Sequence, residues 1–122
     1  MRNFFAAFAI SAAAFIAPLP AWAHAHLKQA SPAVDGTVKT SPSEITLHFS
    51  EDVEPHFSTI ALAAADGKPL KLEHPATAPG DQKTLISRVP ETLSAGTYHV
   101  TWHAVSVDTH KTEGSFTFTV AP

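Results

Sequence analysis

The chain has 122 residues, with Lys+Arg 8 against Asp+Glu 11, eight histidines and no cysteine. Without cysteine there is no disulfide scaffold, thiolate zinc site, iron–sulfur cluster or cysteine nucleophile. The one methionine is Met1, so once a leader is removed any metal site must be built from nitrogen and oxygen.

Met1-Arg2-Asn3 is a short basic start, and Phe4 to Ile16 is an apolar run broken only by Ser11. Pro18 and Pro20 follow, and then Ala21-Trp22-Ala23, a small-x-small cleavage pattern. The apolar stretch is too short to span a bilayer, so residues 1–23 read as a cleaved signal peptide. The expected product is periplasmic, with no stable membrane insertion. Cleavage after Ala25 competes with cleavage after Ala23, because Ala23-His24-Ala25 is also small-x-small. Loss of Arg2 leaves seven basic against eleven acidic side chains, a net charge of about −4. That balance offers no footprint for nucleic acid or anionic lipid. Residues 24–122 make one small domain, expected to be a monomer.

The mature region predicts short alternating strands punctuated by Pro, Gly and Asp turns, with no helical period of useful length. The first runs from about His26 to Ser31 and is closed by Pro32 and the Asp35-Gly36 turn. The second covers Ser43 to Ser50, with Ile45, Leu47 and Phe49 on one side and Glu44, Thr46 and His48 on the other. The third is about Ser58 to Ala64. Asp66-Gly67 then turns into a fourth strand marked by Leu70 and Leu72. His74 to Gln82 reads as a loop, Thr84 to Val89 as the fifth strand, and Pro90 to Gly96 as a connection. The sixth strand, Thr97 to Val105, alternates Tyr98, Val100, Trp102 and Ala104 with Thr97, His99, Thr101 and His103. The seventh is Gly114 to Val120, with Phe116, Phe118 and Val120 facing inward. Seven regularly spaced strands predict an all-β, immunoglobulin-like sandwich, and Leu93-x-x-Gly96-Thr97-Tyr98 has the look of a tyrosine corner.

All eight histidines lie outside the leader, and two occupy special places. Cleavage after Ala23 makes His24 the N-terminus, with an α-amine (pKa about 7.7) and an imidazole (about 6.5) on one residue. Both nitrogens can chelate one metal. If strands alternate up and down, the N-terminus shares an end with the loops Glu51 to Phe57, His74 to Gln82 and Ser106 to Glu113. The last contains Asp108-Thr109-His110. In an extended segment Asp108 and His110 point the same way, roughly 6 to 7 Å apart. With His24 they supply three nitrogens and one oxygen, a tetragonal set that suits Cu(II), although Zn(II) can use the same donors in a tetrahedron.

The other histidines have weaker claims. His99 and His103 are roughly 13 Å apart along one strand face and cannot share an ion. His48 lies on a polar strand face, and His56 sits with Glu51, Asp52 and Glu54 in an acidic loop. His26 opens a different route, a local Cu(II) chelate of the amine, two deprotonated amides and the third-position imidazole. That chelate would need no fold.

Several segments recur in a familiar order: His24-Ala-His-Leu, Ser31-Pro32-Ala33, Leu47-His48-Phe49-Ser50-Glu51 and Gly96-Thr97-Tyr98-His-Val-Thr-Trp102. They are followed by Val105-Ser106-Val107-Asp108-Thr109-His110-Lys-Thr-Glu-Gly114-Ser-Phe116. This series resembles the CopC family of periplasmic copper-resistance and copper-homeostasis proteins over essentially the whole mature chain. The resemblance implies a β-sandwich or Greek-key barrel and a high-affinity Cu(II) site at His24, Asp108 and His110. In some members a glutamate after the Phe-Ser pair approaches the copper, and Glu51 stands at that position; the family is also associated with a CopD-type inner-membrane transporter as recipient. Family members with a Cu(I) site carry a methionine-rich loop, which the mature part of this chain lacks.

The leading expectation is therefore a non-catalytic Cu(II) carrier or buffer, one ion per mature chain. Two alternatives stay open: a copper-dependent oxidative enzyme with an N-terminal histidine brace, and a structural sandwich with adventitious metal binding. Ser106, Asp108 and His110 are too close on one loop to form a hydrolase triad.

Overall fold

The fold is described from a computed structural model over residues 25–122. The expected leader, its cleavage site and His24 lie outside the described residues. Nine strands form and no helix does among these residues: β1 (Leu27–Ser31), β2 (Thr37–Val38), β3 (Glu44–Phe49), β4 (Thr59–Ala64), β5 (Pro69–Leu70), β6 (Ala76–Ala78), β7 (Asp81–Arg88), β8 (Gly96–Val105) and β9 (Lys111–Val120). They pair as a four-stranded sheet, β1-β3-β7-β6, and a five-stranded sheet, β2-β9-β8-β4-β5. The architecture is the expected sandwich, with β2 and β6 added to the seven strands read from the sequence.

Period-two burial explains why the chain closes this way. Ile45, Leu47 and Phe49 from β3 face Tyr98, Val100, Trp102 and Ala104 from β8 and Phe116, Phe118 and Val120 from β9, all of them buried. Each large apolar side chain so placed contributes about 1.5–3 kcal/mol. Two aromatic contacts order this core. Phe49 meets Trp102 edge to face at 5.1 Å between centroids and 73°, joining the two sheets. Tyr98 stacks on Phe118 at 5.6 Å, and its phenol donates to the Ser94 carbonyl at 2.6 Å, closing the tyrosine corner.

Several features differ from the sequence reading: β5 ends at Leu70, so Leu72 packs against the core from outside the strand. β9 begins at Lys111 rather than Gly114, because Val105↔Lys111 continues the β8–β9 ladder through polar residues. β7 begins at Asp81, and β6 pairs with it inside the stretch read as a loop. β2 runs parallel to β9, Thr37 opposite Thr119 and Val38 opposite Val120, and carries the chain from one sheet to the other.

Gly114 lies opposite Trp102 in the ladder, and a Cβ there would sit 2.6 Å from the indole Cζ2. The ring therefore rests on bare backbone. Gly114→Ala should cost about 1–3 kcal/mol as an overpacking change, lowering the melting midpoint by roughly 4–8 °C per kcal/mol. An unchanged thermal melt would contradict this packing.

Candidate metal centre

The three loops expected at one end of the sandwich do meet there. Val53 bridges Ser106, Glu54 N–H donates to the Val105 carbonyl at 2.8 Å, and Val107 N–H to that of Asp52 at 3.1 Å. Val53 N–H also donates to the Gln82 carbonyl at 3.0 Å, and His74 Nε2 to that of Pro55 at 3.0 Å. At the opposite end, the Ala64–Asp66 and Ser94–Tyr98 segments line a common cleft.

Beyond the last β8–β9 pair the chain turns in five residues. Ser106 N–H donates to the His110 carbonyl at 2.9 Å, and Thr109 N–H to that of Ser106 at 2.8 Å. Only Val107, Asp108 and Thr109 lie outside this closure, the form of a three-residue hairpin loop. Thr109 has φ +73°. A β-branched residue in the left-handed region costs on the order of 1–3 kcal/mol and persists only where its surroundings impose it.

Asp108 and His110 are brought together on this tip. Asp108 Oδ2 lies 3.1 Å from His110 Nδ1, and the two side chains are 53% and 47% exposed. They meet across a turn rather than along an extended segment, since the left-handed Thr109 folds the three residues back. Ser106 is 1% exposed and donates its hydroxyl to Asp108 Oδ1. The sequence reading missed this role and weighed Ser106 only as part of a triad. Here the hydroxyl goes to the carboxylate and not to the imidazole, so the nucleophile–base–orienter order is absent from these three residues.

The N-terminal strand arrives beside the tip. Ala25 is fully buried, and its carbonyl accepts from Thr112 Oγ1 at 2.7 Å, two residues past His110. His26 N–H donates to Ser50 Oγ at 2.9 Å, and Ser50 N–H returns a bond to the His26 carbonyl at 2.8 Å. Glu51, half-buried, follows Ser50 and precedes Asp52, which holds Val107. Among the described residues no group of three or more His, Cys, Asp or Glu side chains is placed to hold an ion. The third expected ligand, His24, lies outside them.

The remaining histidines lie away from this pair. His103 Nε2 meets Glu113 at 2.8 Å on the outer face of the five-stranded sheet, and His99 and His56 are exposed. His48 Nδ1 lies 2.8 Å from Thr84 Oγ1, which gives its proton to Asp81 at 2.6 Å. The threonine oxygen must then accept from His48 Nδ1–H, because one hydroxyl carries one proton. A cleft of about 560 Å³ beside Phe57, His103, Lys111 and Glu113 lies next to the tip. Asp108 and His110 are not among its lining residues.

A family model for the CopC domain matches residues 27–121. Protein YobA of Escherichia coli K12 is 44% identical over 99 residues, covering 81% of this chain and 80% of its own. Copper resistance protein C of Pseudomonas syringae pv. tomato is 37% identical over 114 residues, covering 89% and 90%. The crystal structure of CopC from Methylosinus trichosporium OB3b superposes with a TM-score of 0.76 at 34% identity, covering 81% of this chain and 95% of that one. The chain belongs to the CopC family.

The Ser106 hydroxyl, and after it the His110 imidazole, hold the Asp108 carboxyl below the usual carboxylate range. Because the folded value is lowered, its contribution to stability is complete above the unfolded value and is lost as pH falls through the folded one. In the metal-free protein a carboxyl 13C titration should therefore place Asp108 below about 3.9. A midpoint at or above that of the isolated loop peptide would contradict the hydrogen bonding.

Proposed function

We propose that this chain is a periplasmic, non-catalytic Cu(II) carrier or buffer that takes one ion per mature chain. The α-amine and imidazole of His24, the carboxylate of Asp108 and the imidazole of His110 are its ligands. The observation that carries this reading is the Asp108–His110 pair, set 3.1 Å apart on a tip beside which Ala25 is buried. Two ligands at right angles and about 2.0 Å from one ion are about 2.8 Å apart, so the pair needs little adjustment to close on a metal. Consecutive Cα atoms are about 3.8 Å apart, so an amine created at residue 24 travels with Ala25. The names of the relatives, copper resistance protein C among them, support copper as the cargo.

The amide chelate through His26 is disfavoured by the same geometry. It requires the His26 amide to lose the proton that it donates to Ser50 Oγ. An oxidative brace is disfavoured too, because the Asp108 carboxylate beside His110 competes for the position an oxidant would need. In this reading the CopD-type inner-membrane transporter is the recipient, and the lack of methionine beyond Met1 removes a Cu(I) site from the same molecule.

The ligands must lose protons to bind, so affinity should fall as pH drops from about 8 to 6, through the amine and imidazole values. Competition titration of the processed protein should give one Cu(II) per chain. One extra residue before His24, or Asp108→Ala combined with His110→Ala, should weaken binding by more than about 100-fold, beyond what loss of an outer hydrogen-bond partner causes. Unaltered affinity in either variant would refute the proposal.

A further inference from the structure

We propose that Ser106 is the positioning residue of the tip: its buried hydroxyl takes Asp108 by Oδ1 and so aims Oδ2 at His110 before any metal arrives. The inference rests on the copper-binding reading for its purpose, but the clamp itself belongs to the metal-free protein. Three observations converge on this one residue. Ser106 is 1% exposed and bridged to Val53, so its position is set by two loops rather than by the tip alone. Its main chain holds the other side of the turn, giving N–H to His110 and accepting from Thr109 N–H. Its hydroxyl then reaches the Asp108 carboxylate, which the His110 backbone and imidazole also hold.

A hydroxyl has one proton to give, and here it goes to Asp108 Oδ1, with the His110 carbonyl a longer contact at 3.2 Å. One carboxylate oxygen is thus committed to the protein and the other faces His110 Nδ1. A half-exposed aspartate with fewer such bonds samples more rotamers and pays that freedom back on binding. Groups that orient metal ligands in this manner typically change affinity 10–100-fold when removed. Ser106 therefore supplies preorganisation, and Asp108 reaches an ion through one oxygen.

The test compares Ser106→Ala with Ser106→Thr, which keeps the hydroxyl. In the metal-free protein, the Asp108 13Cγ and His110 ring 15N resonances should shift in the alanine variant and stay near wild type in the threonine variant. Amide resonances away from the tip should hold in both. With Cu(II) alone as probe, the alanine variant should bind 10–100-fold more weakly with an altered EPR signature, while the threonine variant stays within a few-fold. Equal losses in the two variants, or a folded alanine variant with unmoved Asp108 and His110 resonances, would overturn the assignment. If the alanine variant does not fold, the wild type decides: a slowly exchanging Ser106 hydroxyl proton supports the clamp, and rapid averaging overturns it. Expected metal-free shifts in a protein whose wild type takes up no Cu(II) would uphold the clamp and refute the copper reading.

Discussion

Ten uninterrupted rungs between β8 and β9, from Gly96↔Val120 to Val105↔Lys111, set everything else in this molecule. A slip of one residue would turn Tyr98, Val100, Trp102 and Ala104 out to water and bring His99 and His103 inside. It would also change which residues fall in the turn. The ladder therefore decides both what the core contains and that Asp108 and His110 stand at its tip. The cross-links from Val53, Glu54 and Asp52 then tie that tip to a second loop.

Core and tip are opposite in character, and each explains the other. Most of the apolar burial lies between the sheets, where Phe49, Trp102, Tyr98 and Phe118 interlock. The tip carries the costs: a threonine at φ +73° and two half-exposed polar side chains held close together. Local strain of this kind survives only when the surrounding fold over-determines it. Here ten rungs on one side and the Val53 bridge on the other provide that constraint.

The legibility of the sequence follows the same division. β3, β8 and the inner half of β9 were readable because apolar residues alternate with polar ones over at least three cycles. β2 and β6 were not, since strands of two and three residues show no period, and Thr37-Val38 lies among turn residues. The early starts of β7 and β9 were hidden because main-chain pairing continues through Asp81-Gln82-Lys83 and Lys111-Thr112-Glu113 without needing an apolar face. At the tip, the Asp-x-His spacing identified the pair, but its conformation could not be read. Turn chemistry assigns left-handed positions to glycine or asparagine, and here a threonine holds one. The hydroxyl of Ser106 was beyond reach for a different reason: its role depends on burial by Val53, more than fifty residues upstream, and no local signal encodes it.

Gly114 beneath Trp102 has a practical corollary. Of the two tryptophans, Trp22 falls in the segment read as leader, which makes Trp102 the lone indole of the proposed mature chain. It is 6% exposed and wedged between the Phe49 ring and the bare backbone of the neighbouring strand. The indole emission of such a chain is thus a one-site signal from the seam between its layers. Its wavelength registers water entering that seam, so loosening of the sandwich can be watched without attaching a dye.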